Sequence, residues 1–591
     1  MLIYPLMRAP RWVPYSAVAI LAAAVYIPTL TFGFVFDDVA LVVQNQFLRE
    51  PWSAARAFTH HFWHGTPGGT GYYRPIVTAS FALNGRLLGW GPAGFHLFNV
   101  LLHAANVCLL LLLLRRLRLS PFASGMAVCL FAVHQAAAWP VGSVVAQVDL
   151  LPAFFILVAW NAWIGPPAVG VEPEAGGTPA GSPAPGRLPW SSALLTGLAF
   201  LGALFCKESS VALFGVILIA AIRPARPEPA AGAGVAVPAA PGRAHPRARW
   251  LPVASTAAAL GLYLAARWLN GIGYPEINEQ VNPLSELPPA ARFTAALEIS
   301  GRYLVYLFVP IRFSDPRGHG PTAPPPQVGA GVVLSALLLM TLIAAVIGLW
   351  WRRDRLALPA AFALGSFLPA SNLLLPIGSL YTQNFLYMPL IGACLVAGEL
   401  LHRRMPAAAA GPEVKIPPRL WVAGALIVVL GMAAAREASI WRDYESLFRA
   451  WTRRFPNYAL GYSHLGLALL DGGRPQEAIP SLRRSVALDD RSLETRANLG
   501  VALMRTRSDR EGLEEALAHC RAAIKPDSDF VNPRVNAGNI LLLLLLGRPQ
   551  EAETEAREAV RIAPDLFPAR LNLAEALFRQ KPTPPSNSPA W

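Results

Sequence analysis

Charge is the first thing this sequence has little of. Only 15% of its 591 residues are Asp, Glu, Lys or Arg, where a soluble globular chain carries roughly 25%. With 54% hydrophobic residues and a mean hydropathy of +0.39, that scarcity excludes an ordinary soluble protein and indicates a polytopic membrane protein. Basic residues outnumber acidic ones, giving a net charge of +14. They sit mostly in short loops between apolar segments, where they set orientation. No basic stripe carries aromatics at a usable spacing, which argues against nucleic-acid binding. There are five cysteines. Cys108, Cys129, Cys206 and Cys394 lie in apolar segments and Cys520 stands alone, so neither metal-ligand spacing nor a disulfide framework is present. A cleavable signal is missing too: the first apolar stretch is long, without a clear small-x-small site. Nor is there an inverted internal repeat or an intramembrane charge relay, which weighs against a transporter.

What is present is a series of apolar segments. Counted by the rule that about 20 apolar residues cross a bilayer, they make about eleven spans. They are Arg11–Phe36, Phe95–Leu114, Pro121–Ala138, Val144–Ile164, Ser191–Phe205, Ser209–Ile222, Leu251–Trp268, Val328–Trp351, Ala357–Pro369, Phe385–Leu401 and Trp421–Ala435. Arg-rich loops fall on one side throughout: Arg8 and Arg11, Arg115–Arg118, Arg223–Arg249, Arg352–Arg355 and His402–Arg404. The positive-inside rule makes that side cytoplasmic. Segments 166–187 and 223–249 are Pro/Ala/Gly-rich and read as cytoplasmic linkers. External loops then span 33–94 and 269–327. Within the second, Arg302–Pro310 is too short to span and reads as re-entrant or interfacial.

The outer face collects the residues able to do chemistry. Asp37 and Asp38 stand where the first span ends, at a membrane–water boundary, and ionisable groups there are functional candidates. The alternative is a helix cap, a common role for Asp. Arg74, His134, Lys207 and Glu208 reach the same side. His96, Asn99 and His103 lie on one helix face, either as interhelical hydrogen-bond partners or as site groups. Lys207–Glu208 is either a functional pair or an ordinary interfacial ion pair, and Asp149 either lines the site or pairs with a neighbouring helix. Tyr72–Tyr73 can simply anchor the interface. Nothing in this spacing builds a metal cage. On an outer face the activated donors are lipid-linked. A carboxylate takes the proton of an acceptor hydroxyl, and cations hold the departing phosphate. Asp37 or Asp38 suits the first role, and Arg74 and Lys207 the second.

From about Trp451 helical periodicity replaces hydropathy. Gly473-Arg-Pro-Gln-Glu-Ala478 recurs unchanged as Gly547-Arg-Pro-Gln-Glu-Ala552, and internal repetition of this length marks a tetratricopeptide array. One unit carries Leu465, Gly466, Ala478 and Ala487 at packing positions. The next carries Asn498, Leu499, Gly500 and Ala516, the third Asn536, Gly538, Ala552 and Pro564, and a truncated fourth begins near Phe567 with Asn572-Leu573-Ala574. Such units bury their apolar faces on their neighbours and form a concave groove. Leu541–Leu546 reads as a core helix or a membrane-facing one. The whole chain therefore reads as all-α, a multi-span membrane domain over 1–440 followed by an α-solenoid over 441–591.

The order of features resembles the GT-C glycosyltransferases, and within them the TMTC-like family of transmembrane and tetratricopeptide O-mannosyltransferases. The matching stretches are Phe36-Asp37-Asp38, Tyr73-Arg74-Pro75, Gly94-Phe-His96-Leu-Phe-Asn99 with His103, His134 followed by Asp149-Leu-Leu, Lys207-Glu208, Asn282-Pro283 and Pro369-Ala-Ser371-Asn372. The resemblance implies an inverting integral-membrane glycosyltransferase. It implies a polyprenyl- or dolichyl-phosphate mannose donor and a Ser or Thr acceptor on a protein presented by the repeats. Asp37, Asp38 and Glu208 are the implied catalytic residues, with Glu208 orienting Lys207 or the acceptor; Arg74 and Lys207 are the implied phosphate contacts. Tyr73, His96, Asn99, His103, His134, Asp149, Asn372, Gln383 and Tyr387 are the implied lining. No metal or cofactor is expected. Where relatives carry Glu and Arg after the His134 position this chain has Trp139 and Gln147. Where they have Ala-Glu-Arg it has Thr382-Gln383-Asn384. These neutral positions support an alternative, a catalytically degenerate scaffold whose repeats dock envelope proteins. The Pro/Ala/Gly/Arg-rich composition points to a bacterial inner membrane, with the N-terminus cytoplasmic and the repeats outside.

Overall fold

Apolar segments without water around them must satisfy their backbone groups internally, and helices do so. The computed structural model describes residues 13–66, 71–165, 190–223, 248–274, 277, 282–309, 329–378, 382–404, 418–524, 531–542 and 548–580. Among these residues there are helices and turns and no strand. The two Pro/Ala/Gly-rich linkers and Leu543–Gly547 lie almost wholly outside them. Contacts divide the chain into two units, one of Met1–Phe313 with Pro321–Asp443 and one centred on Tyr444–Trp591.

The first unit contains α1 (Val13–Tyr26), α2 (Pro75–Leu88), α3 (Pro92–Arg116), α4 (Pro121–Val133), α5 (Gln147–Ile164), α6 (Trp190–Leu204), α7 (Ala212–Ile222), α8 (Leu251–Leu269), α9 (Pro289–Phe308), α10 (Ala330–Trp351), α11 (Ala357–Phe367), α12 (Tyr387–Arg404) and α13 (Pro418–Ala438). Each of the eleven apolar segments is helical. Six are long and apolar enough to cross a membrane, and a seventh span is a bent pair that breaks by 48° at His134. Three others, around α6, α7 and α11, are shorter. α3 runs through the middle, packed on α1, α4 and α5, while α6 joins α5 to α8. α9 is longer than the segment Arg302–Pro310 that hydropathy picks out. It starts at Pro289, because Arg292, Glu298 and Arg302 dilute the apolar signal but share a helix with a buried stripe of Ala295, Ala296, Tyr303 and Leu307.

The second unit has α14 (Tyr444–Arg454), α15 (Ala459–Asp471), α16 (Pro475–Leu488), α17 (Leu493–Thr506), α18 (Arg510–Ala522), α19 (Asn532–Leu542), α20 (Pro549–Ile562) and α21 (Phe567–Gln580), each packed on the next. The repeated glycines are the contact points. A Cβ on Gly466 would meet Leu482 at 2.4 Å, and one on Gly500 would meet Cys520 Sγ at 2.5 Å and the Ala516 carbonyl at 3.0 Å. Ala478, Ala516 and Ala552 are wholly buried, as the repeat pattern predicts. Ala487 and Pro564 are not; both are exposed, and Ser485 takes the inward place, its hydroxyl bonded to the Ala459 carbonyl at 2.8 Å. The recurring Arg-Pro-Gln-Glu is a clasp. Arg474 and Glu477 pair with Glu445 and Arg449 of α14, two helices earlier, and Arg548 and Glu551 pair with Glu514 and Arg521 of α18 in the same way.

Candidate active site

α1 continues as a 3-10 turn to Thr31, and the chain then runs extended to Phe36. Phe36 is left-handed, with φ of 56°, a conformation that costs a residue with a Cβ about 1 kcal/mol or more. The turn closes with Asp38 N donating to the Val35 carbonyl and Val39 N to that of Phe36. Its effect is to send the two carboxylates different ways. Asp38 is buried. Its Oδ2 accepts from Val35 N at 3.0 Å, and its Oδ1 accepts from Val145 N at 2.8 Å and the Ser143 hydroxyl at 3.3 Å. Burial raises its pKa to about 6 against the pull of these donors. Asp37 is half-buried and has no hydrogen-bond partner among the described residues. Burial first, and the Asp38 charge second, push its pKa up to about 7.

The loop that grips Asp38 leads into α5, which begins at Gln147 with Asp149 in its first turn, where the helix dipole favours an anion. Asp149 is buried and forms an ion pair with Lys207 through Oδ1. Its Oδ2 accepts from Asn384 Nδ2 at 2.7 Å. Lys207 also lies 5.2 Å from the Phe385 ring centre. Lys207 and Glu208 therefore do not pair with each other. They occupy the bend between α6 and α7, and adjacent side chains diverge there: Glu208 turns to Arg74, Oε2 to Nη2 at 3.2 Å. A backbone bond from Ile76 N to the Phe205 carbonyl, 3.3 Å, holds the start of α2 against this bend. Burial opposes the Arg74 charge, but Glu208, Tyr72 and Asp149 outweigh it and the guanidinium stays charged.

The polar face of α3 supports this arrangement from below. His96 Nε2 makes a long contact with the Gly33 carbonyl at 3.5 Å, and Asn99 Nδ2 donates to the Ser143 carbonyl at 2.8 Å. These two residues thus touch the segment before the Asp turn and the loop that grips Asp38. His103 is fully buried further along, between the Tyr387 hydroxyl at 2.8 Å and the Ala132 carbonyl at 3.3 Å. His134 caps the break after α4, accepting from Ala136 N and reaching the Leu307 carbonyl, each at 3.1 Å. Tyr73 is buried and donates to the Phe58 carbonyl at 2.7 Å. Asn372 is left-handed, as Asn tolerates, and its Oδ1 accepts from Asn282 Nδ2 at 2.8 Å and Ile377 N at 2.9 Å. Gln383 donates to Glu437 at 2.7 Å. Trp139 stacks on Trp441, 4.9 Å between centres and 8° apart. Gly33 N donates to the Arg442 carbonyl at 2.9 Å, so the end of α13 and the turn after it are fastened beside the Asp turn.

The structure thus joins Asp37, Asp38, Asp149, Lys207, Glu208 and Arg74 around the start of α5. It uses His103, His134, Tyr73 and Asn372 as packing and loop fasteners. Sequence reasoning missed Arg267, whose Nη1 comes within 3.8 Å of Glu208; its only signal was a charge inside an apolar run. Among the described residues no group of three or more His, Cys, Asp or Glu is arranged to hold a metal.

No family model matches the chain. Curated relatives do. It is 22% identical to Protein O-mannosyl-transferase TMTC3 of Mus musculus, over 94% of this chain and 61% of that protein. It is 25% identical to TMTC1 of Mus musculus over 83% and 60%, and 28% identical to TMTC4 of Mus musculus over 76% and 63%. The chain is similar to TMTC proteins. It spans about three fifths of the length of these relatives. The similarity to TMTC3 extends over most of the chain, beyond either of its two units.

Proposed function

We propose that this protein is an integral-membrane inverting glycosyltransferase. It moves mannose from a polyprenyl phosphate to a Ser or Thr hydroxyl of a protein on the extracytoplasmic side, with the acceptor presented by the repeat groove. The observation that carries the reading is the split between the two aspartates. Asp38 is saturated by donors from two loops and sets the turn. Asp37 is unpartnered, partly open and titrates near neutrality, which suits a general base. Asp37 takes the acceptor proton while the acceptor oxygen attacks the anomeric carbon from the face opposite the phosphate. The bond from that carbon to the phosphate oxygen breaks, and the charge left on the lipid phosphate falls to cations, with Arg74 and Lys207 the candidates. The names of the relatives support the sugar and the protein acceptor. The Arg-rich loops support the orientation, and composition supports a bacterial inner membrane.

A second reading, a scaffold that docks envelope proteins without chemistry, draws on the neutral positions. Trp139, Gln383 and Asn384 are each engaged in fixed packing or hydrogen bonds. The two readings separate in one assay. Purified full-length protein in detergent is given radiolabelled polyprenyl-phosphate mannose and an envelope-protein extract, beside an Asp37→Asn/Asp38→Asn variant. Label on protein that vanishes in the variant supports transfer. No label above the background of the variant, with the protein folded and a second sugar donor also tried, supports the scaffold.

A further inference from the structure

Glu208 has more cation around it than it can use. Its Oε2 is bonded to Arg74, while its Oε1 is 3.8 Å from Arg267 Nη1, outside hydrogen-bond range. That Oε1 is buried with no hydrogen-bond partner among the described residues, and so is Arg74 Nε. Arg267 sits in the last turn of α8 and is fixed by backbone. Its Nε donates to the Ile272 carbonyl at 3.1 Å, and its Nη2 to the carbonyls of Gly71 at 2.8 Å and Gly273 at 2.5 Å. Among the described residues its Nη1 donates to the Tyr263 hydroxyl alone, at 3.4 Å, which leaves one proton toward Glu208. The rings of Tyr72 and Tyr274 lie 4.3 and 4.9 Å from the two guanidinium carbons and shield them from water. Lys207 is already neutralised by Asp149. Two guanidiniums with unused donors therefore face one carboxylate, an excess of one positive charge.

We propose that Arg74 and Arg267 form a two-guanidinium site for a phosphate ester, and that Glu208 occupies it as a resident anion which the phosphate displaces. The proposal rests on the lipid-phosphate reading of the donor and adds a residue and an exchange step to it. Guanidinium forks match phosphate oxygens in geometry. A phosphate offers more acceptor oxygens than the carboxylate does, enough to reach Arg74 Nε and the spare Arg267 proton together. Glu208 begins the 3-10 turn after the bend and is a third exposed, so its side chain has room to leave. An ordinary structural rivet would behave differently in one respect, the sign of the change when its charge is removed.

The test is binding of polyprenyl phosphate without sugar, measured on full-length protein in nanodiscs. Glu208→Gln keeps the shape and removes the competing charge. It is expected to bind the lipid at least roughly tenfold tighter, a change between the roughly fivefold that one unit charge at contact distance gives in water and the roughly 10³-fold it gives near a protein surface. Arg267→Gln is expected to bind roughly tenfold more weakly by the same reasoning. Because Arg267 also holds three carbonyls, Glu208→Gln is the deciding variant. Binding that is unchanged or weaker in Glu208→Gln overturns the proposal. Inorganic phosphate at the same concentration is expected not to compete. Equal competition would reassign the site from a lipid headgroup to free phosphate and overturn the donor assignment. A protein that transfers sugar yet shows no tightening in Glu208→Gln sinks this proposal alone. A protein that shows the tightening but transfers no sugar sinks the transfer reading alone.

Discussion

The two units hold their charges in opposite ways. In the membrane unit Lys207 and Asp149 have side chains 11% and 2% exposed, one in the bend after α6 and the other in the first turn of α5. In the repeat unit Arg483 and Glu515 are 53% and 35% exposed and recur in the same register along the array. A buried pair is costly to break because its partner is left uncompensated, whereas an exposed pair contributes little. Charge in the first unit therefore fixes a single constellation, while charge in the second only trims the fit of one repeat to the next, which glycine and alanine contacts already determine.

Breaking the comparison at its strongest point means removing Asp37. Asp37→Asn is expected to lower transfer by about 10²–10⁴-fold, the range for a positioned general base, read as label on acceptor protein. The same substitution is expected to stabilise. The folded pKa of about 7 exceeds the ordinary 3.8, so the folded state keeps a proton that the unfolded chain has released between those values. The stability from that proton is complete below the ordinary value and is lost as pH rises through about 7. Melting of Asp37→Asn is therefore expected above wild type at alkaline pH, with the margin closing toward acid.

Next in size is Lys207→Met, which strands Asp149 in the interior and is expected to cost about 3–5 kcal/mol. The double variant Lys207→Met/Asp149→Leu is expected to recover part of this loss in denaturant unfolding. A full loss that persists in the double variant would mean that the pair is not the source of the stability. Gly500→Ala presses a methyl on Cys520 and the Ala516 backbone, and is expected to cost about 1–3 kcal/mol, seen as a lower melting point of the repeat unit. Arg548→Ala is the smallest. It removes a partly exposed clasp and is expected to cost less than about 1 kcal/mol, with the difference shrinking in salt.

The repeat unit was the more legible in sequence, because each unit repeats the same solution and Gly466, Gly500 and Gly538 announce it at intervals of 34 and 38 residues. The membrane unit was legible as helices, since hydropathy reads burial along one segment. Its constellation was legible only in its members. Asp37, Asp38, Arg74, Asp149, Lys207 and Glu208 stood out as charges at the ends of apolar runs, but their pairing did not. Lys207 meets Asp149 fifty-eight residues away and Arg74 meets Glu208 across 134, and no local period encodes such distances. His96 and Asn99 left two roles open in the sequence; the structure places them against Gly33 and Ser143 beside the Asp turn. Arg267 escaped notice because a single Arg near the end of an apolar helix reads as a boundary mark.

The most direct test of the central claim separates the two aspartates. Transfer from polyprenyl-phosphate mannose is measured across pH for wild type, Asp37→Asn and Asp38→Asn, with melting followed in parallel. The account predicts that wild-type transfer falls as pH drops below about 7. It predicts that Asp37→Asn is folded, inactive and flat in pH. It predicts that Asp38→Asn, which turns an amide toward the Val35 and Val145 N–H groups, melts lower but keeps the same pH dependence in whatever activity survives. Activity retained in Asp37→Asn, with loss confined to a well-folded Asp38→Asn, would contradict it.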